Sequence, residues 1–185
     1  MRAAAGVARA PGRGDFGVAP GSVQSSSAAY QVGFSTYGGR PILADTSRAA
    51  LFCKVLGHLR RRLGFSLHAY VLLPDRVQMI LGALDDDPRS VRLITQQVRS
   101  RFAREVNVQR GRPGLVWRDG IDVVRLASPR HVIRHAHLLH RAPIITRLTT
   151  EPGQWRWSSY RGWSGEGHPP VGVDLPEGVV LPFTR

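Results

Sequence analysis

The chain has 185 residues, which fits one domain and lets folding bury about 70% of the surface of the unfolded chain. Hydrophobic residues make up 42% and the formal net charge is +13, so a packed core with a strongly basic exterior is expected. The single cysteine, Cys53, excludes a disulfide framework and fits a buried thiol in a reducing cytoplasm, and no apolar run approaches the ~20 residues of a membrane span.

The charge is uneven. Lys54 is the only lysine, and the other 25 basic residues are arginines. Between Pro88 and Arg161, 15 arginines stand against four acids, Glu105, Asp119, Asp122 and Glu151, which leaves +11 of the net +13 in that stretch. Guanidinium grips phosphate in a bidentate fork, so a concentrated arginine field suits a nucleic-acid backbone. Arginine inherited from a GC-rich genome would give the same composition.

Met1 to Ala29 is rich in Ala, Gly, Ser and Arg and lacks the continuous apolar block of a signal peptide. It reads as a disordered arm, or as an upstream extension from a misassigned start. Tyr30 to Thr36 alternates as a strand does, and Tyr37 to Pro41 makes a turn. Asp45, Thr46 and Ser47 offer an N-cap to a helix whose Leu51, Phe52, Val55, Leu56, Leu59 and Leu63 recur at helical spacing before Gly64 ends it. Phe65 to Leu73 is an apolar strand, Pro74-Asp75 a turn, and Arg76 to Ala83 its partner strand. Val77, Met79 and Leu81 take one face of that partner, with Arg76, Gln78 and Ile80 on the other.

Asp87-Pro88 provides N-cap and N1 of a second helix, and Asp85 to Asp87 is better explained by turn and cap than by metal. Val91, Ile94, Val98 and Phe102 form its apolar stripe, with Arg92, Arg99 and Arg104 mostly off it. Gln109 to Gly114 is a flexible basic loop, and Ile121 to Leu126 a fourth strand. Ser128-Pro129 opens a third helix running to about Arg141. Trp155 to Tyr160 begins a short closing element, and after Gly162 the chain is Gly- and Pro-rich and irregular.

The order β-α-β-β-α-β-α predicts an α+β fold, a ferredoxin-like split βαβ sandwich. Its four-stranded antiparallel sheet carries two helices on one face and is followed by a C-terminal helix. The other face is expected to be open, as nucleic-acid-binding sheets of this kind commonly are. The expected divisions are an arm at 1–29, a domain at 30–163 and an irregular tail at 164–185.

Three segments then carry a resemblance: "HAYVLLPDRVQMIL", "RSRFAREVNVQRGRPGLVWRDG" and "HLLHRAPIITRLTTEPGQWRWSSYRGW". Their order and spacing resemble the REP-associated tyrosine transposases, small single-tyrosine members of the HUH endonuclease superfamily. The likeness covers about Tyr30 to Trp163. It implies cleavage and joining of single-stranded DNA. In that family two histidines of a His-x-His strand hold Mg²⁺ or Mn²⁺, a helix tyrosine attacks the phosphate, and an Asn before a Pro can complete the metal site.

At the matching positions this sequence departs from the pattern. Arg76 and Gln78 occupy the His-x-His positions, Leu138 the tyrosine and Ala142 the asparagine. Arginine has no lone pair to give a cation, glutamine offers one carbonyl oxygen, and leucine has no nucleophilic atom. The tyrosines present, Tyr30, Tyr37, Tyr70 and Tyr160, lie outside the third helix. Tyr70 reads as a strand residue and Tyr160 as a packing anchor. His131, His135, His137 and His140 cluster on the third helix and read as partly exposed histidines near DNA, with a relocated metal site as the sharper alternative.

The expectation is therefore a DNA-binding, transposase-like monomer without cleavage, cytoplasmic or nucleoid-associated, needing no cofactor. Arg92, Arg99, Arg101 and Arg104 are the expected backbone contacts, followed by Arg118 and Arg125. Arg76 either meets a phosphate the metal would have neutralised or fills the position without function. Trp117, Trp155, Trp157 and Trp163 read mostly as packing, one of them able to stack on a base. The alternatives are an active transposase with relocated catalytic groups, an RNA-binding module on the same sheet, and a decaying gene product. The RNA reading is weakened by the lack of an aromatic-rich central strand.

Overall fold

Tyr30, Val32 and Phe34 alternate with Gln31, Gly33 and Ser35, and that period of two sets both faces of the first strand, β1 (Ala29–Ser35). A computed structural model describes residues 28–84 and 87–176. The expected arm thus lies outside the described residues except at its end, where Ala29 already opens β1.

The remaining elements follow in chain order as α1 (Thr46–Leu63), β2 (Leu67–Leu73), β3 (Arg76–Gly82), α2 (Pro88–Arg110), β4 (Asp122–Leu126), α3 (Pro129–Ile145) and the short α4 (Tyr160–Ser164). The helix starts are those read from the sequence. Asp45 accepts from the Ser47 and Arg48 amides at 2.8 and 3.3 Å, Asp87 from Arg89 at 2.9 Å, and Ser128 from His131 at 3.3 Å. Gly64 and Gly111 close α1 and α2 at φ 71° and 64°, a left-handed conformation open to glycine without cost.

The four strands form one antiparallel sheet in the order β2-β3-β1-β4. β1 is central, so each helix crosses over a neighbouring strand, and the result is the split βαβ arrangement. On one face α1 and α2 bury Phe52, Leu56, Val98 and Phe102 against Val32, Phe34 and Met79. Trp117 closes this core, its ring 4.9 Å from Phe34 in an edge contact.

The second face is not open, as the sequence suggested, but covered over β2 and part of β3. There α3 and α4 bury Val132, Ala136, Leu139 and Trp163 against Ala69, Val71, Leu73 and Ile80. The physical reason is apolar surface: β2 is hydrophobic on both faces, and two-sided burial is the only stable place for such a strand. What remains of this face is a half-buried strip at Gln31, Gly33, Ser35 and Gln78, bordered by the exposed Arg76 on β3 and the exposed Asp122 and Val124 on β4.

The outer edge of β2 is also closed. The Leu72 amide donates to the Trp157 carbonyl at 2.8 Å and the Ser159 amide to Tyr70 at 3.0 Å, while the Trp155 and Trp163 indoles donate to the Leu72 and His68 carbonyls. Further on, the Asp174 amide donates to the Leu67 carbonyl and the Val171 amide to the Tyr70 hydroxyl. The segment after α4 is irregular among the described residues, yet it is pinned along an edge that would otherwise recruit another chain.

α3 outruns its expected end. Pro143 removes one donor, but its side chain is buried, and the Thr146 and Leu148 amides close the last turn on Ala142 and Pro143. Burial and closure offset the missing hydrogen bond, and the helix reaches Ile145.

Candidate nucleic-acid interface

The residues at the family's catalytic positions fall in two groups. Arg76 and Gln78 lie on β3, on the face toward α3, and Leu138 and Ala142 lie on α3 itself. Arg76 is about half exposed, and its fork is engaged by its neighbour in the turn: Nε donates to Asp75 Oδ1 at 3.0 Å and Nη2 to Oδ2 at 2.9 Å. Hydrogen bonding to Asp75 raises the Arg76 pKa further, so the group is permanently charged. Gln78 is half-buried, opposite Gly33 on one side and Val71 on the other. Leu138 is 53% exposed and Ala142 packs on the second core.

The histidines of α3 do not share one environment. His135 Nδ1 lies 2.6 Å from the Gln31 Oε1, a hydrogen bond that ties α3 to β1. His140 is not partly exposed, as the sequence suggested, but buried, because α3 turns it inward between Tyr160 and Trp163. Burial pulls its pKa down to about 3, with the nearby His137 adding to the shift. Among the described residues no group of three or more His, Cys, Asp or Glu side chains is placed to hold a metal ion.

Of the tyrosines, Tyr30 and Tyr70 are buried on the α1/α2 side, and burial raises the Tyr70 pKa. Tyr37 is 48% exposed in the loop after β1. Tyr160 begins α4, beside His140. All four tryptophan rings serve packing. Trp117, Trp157 and Trp163 are buried, and half-buried Trp155 is fixed by its indole hydrogen bond.

The arginines of α2 split between two flanks of the helix. On the α1 side, Gln97 accepts from Arg62 at 2.8 Å, and Arg101 pairs with Glu105 at 3.1 Å. On the β4 side, Arg99 donates to the Gly120 and Arg118 carbonyls, and its guanidinium lies 5.6 Å from the Phe34 ring. Desolvation lowers the Arg99 pKa, and Asp119 works against that shift. Arg99 thus fastens the loop before β4. Arg92 and Arg104 are exposed on the outer surface of α2, and Arg92 falls on the Arg99 flank by the 100° helical step. Arg118 is exposed on the fastened loop, and Arg125 is exposed on β4 opposite Tyr30, hence on the α2 side of the sheet.

A second convergence was not visible in the sequence. Arg110 feels the positive charges of Arg48, Arg40 and Arg112, which, after desolvation, lower its pKa. Arg40 is fixed by donating to the Tyr37 and Leu115 carbonyls. The turn after β1, the start of α1 and the end of α2 therefore share one basic corner. Its members stand some 70 residues apart, and the only sequence signal was a pair of glycine-bearing basic turns, "YGGRP" and "QRGRPG".

The fold and this surface define a small antiparallel α+β domain with an arginine-rich flank. No protein-family model matches the chain, and no curated protein matches it. Solved structures do. A REP-associated tyrosine transposase bound to a REP hairpin aligns with a TM-score of 0.58 over 83% of this chain and 90% of its own, at 14% identity. A protein of Deinococcus radiodurans R1 assigned as a transposase aligns with a TM-score of 0.45 over 60% and 87%, at 17% identity. The fold of this chain is thus that of the REP-associated tyrosine transposase, as the sequence resemblance implied. No helix among the described residues is long and apolar enough to cross a membrane.

Proposed function

We propose that the protein is a transposase-like DNA-binding protein that holds hairpin or single-stranded DNA without cutting it. The observation that carries this reading is the set of exposed arginines on the outer surface of α2, on the loop before β4 and on β4: Arg92, Arg104, Arg118 and Arg125, none of them in an ion pair among the described residues. Phosphate contacts of this kind give affinity by counterion release. The structural neighbour bound to a REP hairpin makes hairpin DNA the first ligand to test.

The absence of cleavage is argued from the four substituted positions. A metal-assisted attack needs lone pairs converging on a cation and a nucleophile in line. The β3 position nearest the turn carries the fixed charge of Arg76, held by Asp75, and Gln78 adds one carbonyl oxygen. At the tyrosine position the side chain of Leu138 is hydrocarbon. In this reading the protein acts as a monomer in the cytoplasm, on the nucleoid, and binds DNA without a cofactor.

The test is fluorescence anisotropy on hairpin, single-stranded and duplex oligonucleotides across a salt series. Affinity for the hairpin or single strand should fall linearly on log–log axes as salt rises. Negligible affinity for every oligonucleotide in low salt would contradict the proposal.

A further inference from the structure

A cleft of about 460 Å³ opens beside α1, walled by the edge segment at Arg156 and Trp157 and by the strap at Val171 and Gly172. That volume lies within the ~300–1,000 Å³ typical of ligand sites. The sequence of α1 makes the space: Ala50, Cys53 and Gly57 recur at helical spacing, and their small side chains leave a floor rather than a ridge. Lys54, Arg61 and Arg156 surround that floor, all three exposed and none in an ion pair among the described residues. A fourth cation, Arg60, is already neutralised by Asp174 and donates to the Gly172 carbonyl at 2.6 Å, which ties the strap to the helix.

Among the described residues no carboxylate lines this cleft, and no residue of α2 does. The Arg156 guanidinium lies 5.0 Å from the Trp157 ring centre, held over an aromatic platform. Cys53 offers no nucleophile, because burial pushes its thiol up to about 12, an effect Arg156 only partly offsets. The cleft thus combines positive charge and open space with an unreactive thiol.

We propose that the cleft is a phosphate subsite that takes one backbone phosphate and its nucleoside from an unpaired stretch of DNA beside the stem. This rests on the DNA-binding reading and adds a contact point separate from the α2 flank. Three cations unpaired among the described residues, around a cavity that none of the described acids lines, select an oxyanion, and the volume admits the attached nucleoside.

The experiment uses the full chain and three probes: a hairpin oligonucleotide, the same hairpin with a short single-stranded extension, and thymidine 5′-monophosphate. The extension should strengthen binding to the unmodified protein. The double substitution Lys54→Ala with Arg61→Ala should weaken binding of the extended probe by about tenfold, through loss of charge-assisted hydrogen bonds, and leave the bare hairpin unchanged. Gly57→Phe fills the floor without changing charge and should act the same way. A Cβ at Gly57 meets only ordinary contacts, 3.7 Å to Arg61 and 3.8 Å to Val171, so the helix accepts a side chain at this position, and circular dichroism checks that the variant folds. If the extension adds nothing, or the variants weaken both DNA probes equally, the subsite is overturned while DNA binding stands. If thymidine 5′-monophosphate binds tightly and the extension adds nothing, the site takes a free nucleotide and the DNA source is overturned. If no DNA probe binds, both readings fall.

Discussion

His140 of α3 and Ser159 of the β2 edge segment meet at 2.8 Å, ring Nε2 to hydroxyl Oγ. The same Oγ accepts from the Tyr70 amide at 2.9 Å and lies 3.2 Å from the Tyr70 carbonyl. The hydroxyl has one proton to give, to that carbonyl or to the ring, and the neutral ring takes the complementary role. Its Nδ1 is buried without a partner among the described residues. One histidine thus locks α3 to the strand edge, on condition that it stays uncharged.

That condition predicts a pH dependence. The ring titrates near 6.5 when unfolded and at about 3 when buried here. Between those values the unfolded chain binds a proton that the native one does not. Stability from this group is therefore complete above about pH 6.5 and declines as pH falls toward 3, by about 1.4 kcal/mol per unit. Denaturant midpoints measured from pH 8 to pH 4 should show the decline in the unmodified protein. His140→Gln keeps a donor but cannot titrate, and its curve should be flatter over the same range. Equal slopes would remove His140 from the account.

Two arginines of α2 should behave oppositely on substitution. Arg99→Ala removes hydrogen bonds to the Gly120 and Arg118 carbonyls and the cation–π pairing with Phe34, so it should cost about 1–3 kcal/mol of stability. Arg104→Ala removes an exposed side chain and should stay within about 0.5 kcal/mol. Urea unfolding compares them. If the two variants unfold alike, Arg99 is not the fastening of the loop before β4.

The flanks of α2 should separate in binding. Replacing Arg92, Arg118 and Arg125 together by Ala should weaken hairpin binding and flatten the salt slope by roughly 0.7–0.9 for each phosphate the variant no longer neutralises. Arg101→Ala, on the α1 side and paired with Glu105, should change the slope little. A reversed outcome would move the interface to the other flank.

Much of this was legible in the sequence. The period of two in β1 and β3, the apolar stripes of α1 and α2, and the caps at Asp45, Asp87-Pro88 and Ser128-Pro129 are local signals, and they placed the elements. The cover over the second face depends on which side of the sheet α3 crosses to, and no local pattern states that. One clue was present: Ala69, Val71 and Leu73 are as apolar as Tyr70 and Leu72, and a strand apolar on both faces needs two partners. The burial of His140 followed from the same crossing. The basic corner of Arg40, Arg48, Arg110 and Arg112 arises only when the turn after β1 and the end of α2 are brought together.

Restoring single catalytic groups should do nothing. Leu138→Tyr is tolerated at an exposed position, yet a tyrosine without a polarised phosphate has nothing to attack. Arg76→His with Gln78→His supplies imidazoles without a nucleophile. Nicking by any of these partial variants, scored on labelled hairpin DNA with Mn²⁺, would show that groups elsewhere complete the site. The combination Arg76→His, Gln78→His, Leu138→Tyr and Ala142→Asn is the smallest set that supplies every missing group.

The most direct test concerns the unmodified protein, purified free of contaminating nuclease and incubated with labelled hairpin and single-stranded oligonucleotides plus Mg²⁺ or Mn²⁺. Native gels read binding, and denaturing gels read nicks and covalent adducts on the same samples. The account predicts a bound complex on native gels and intact, protein-free DNA on denaturing ones. A covalent protein–DNA adduct would contradict it and establish an active transposase with relocated catalytic groups.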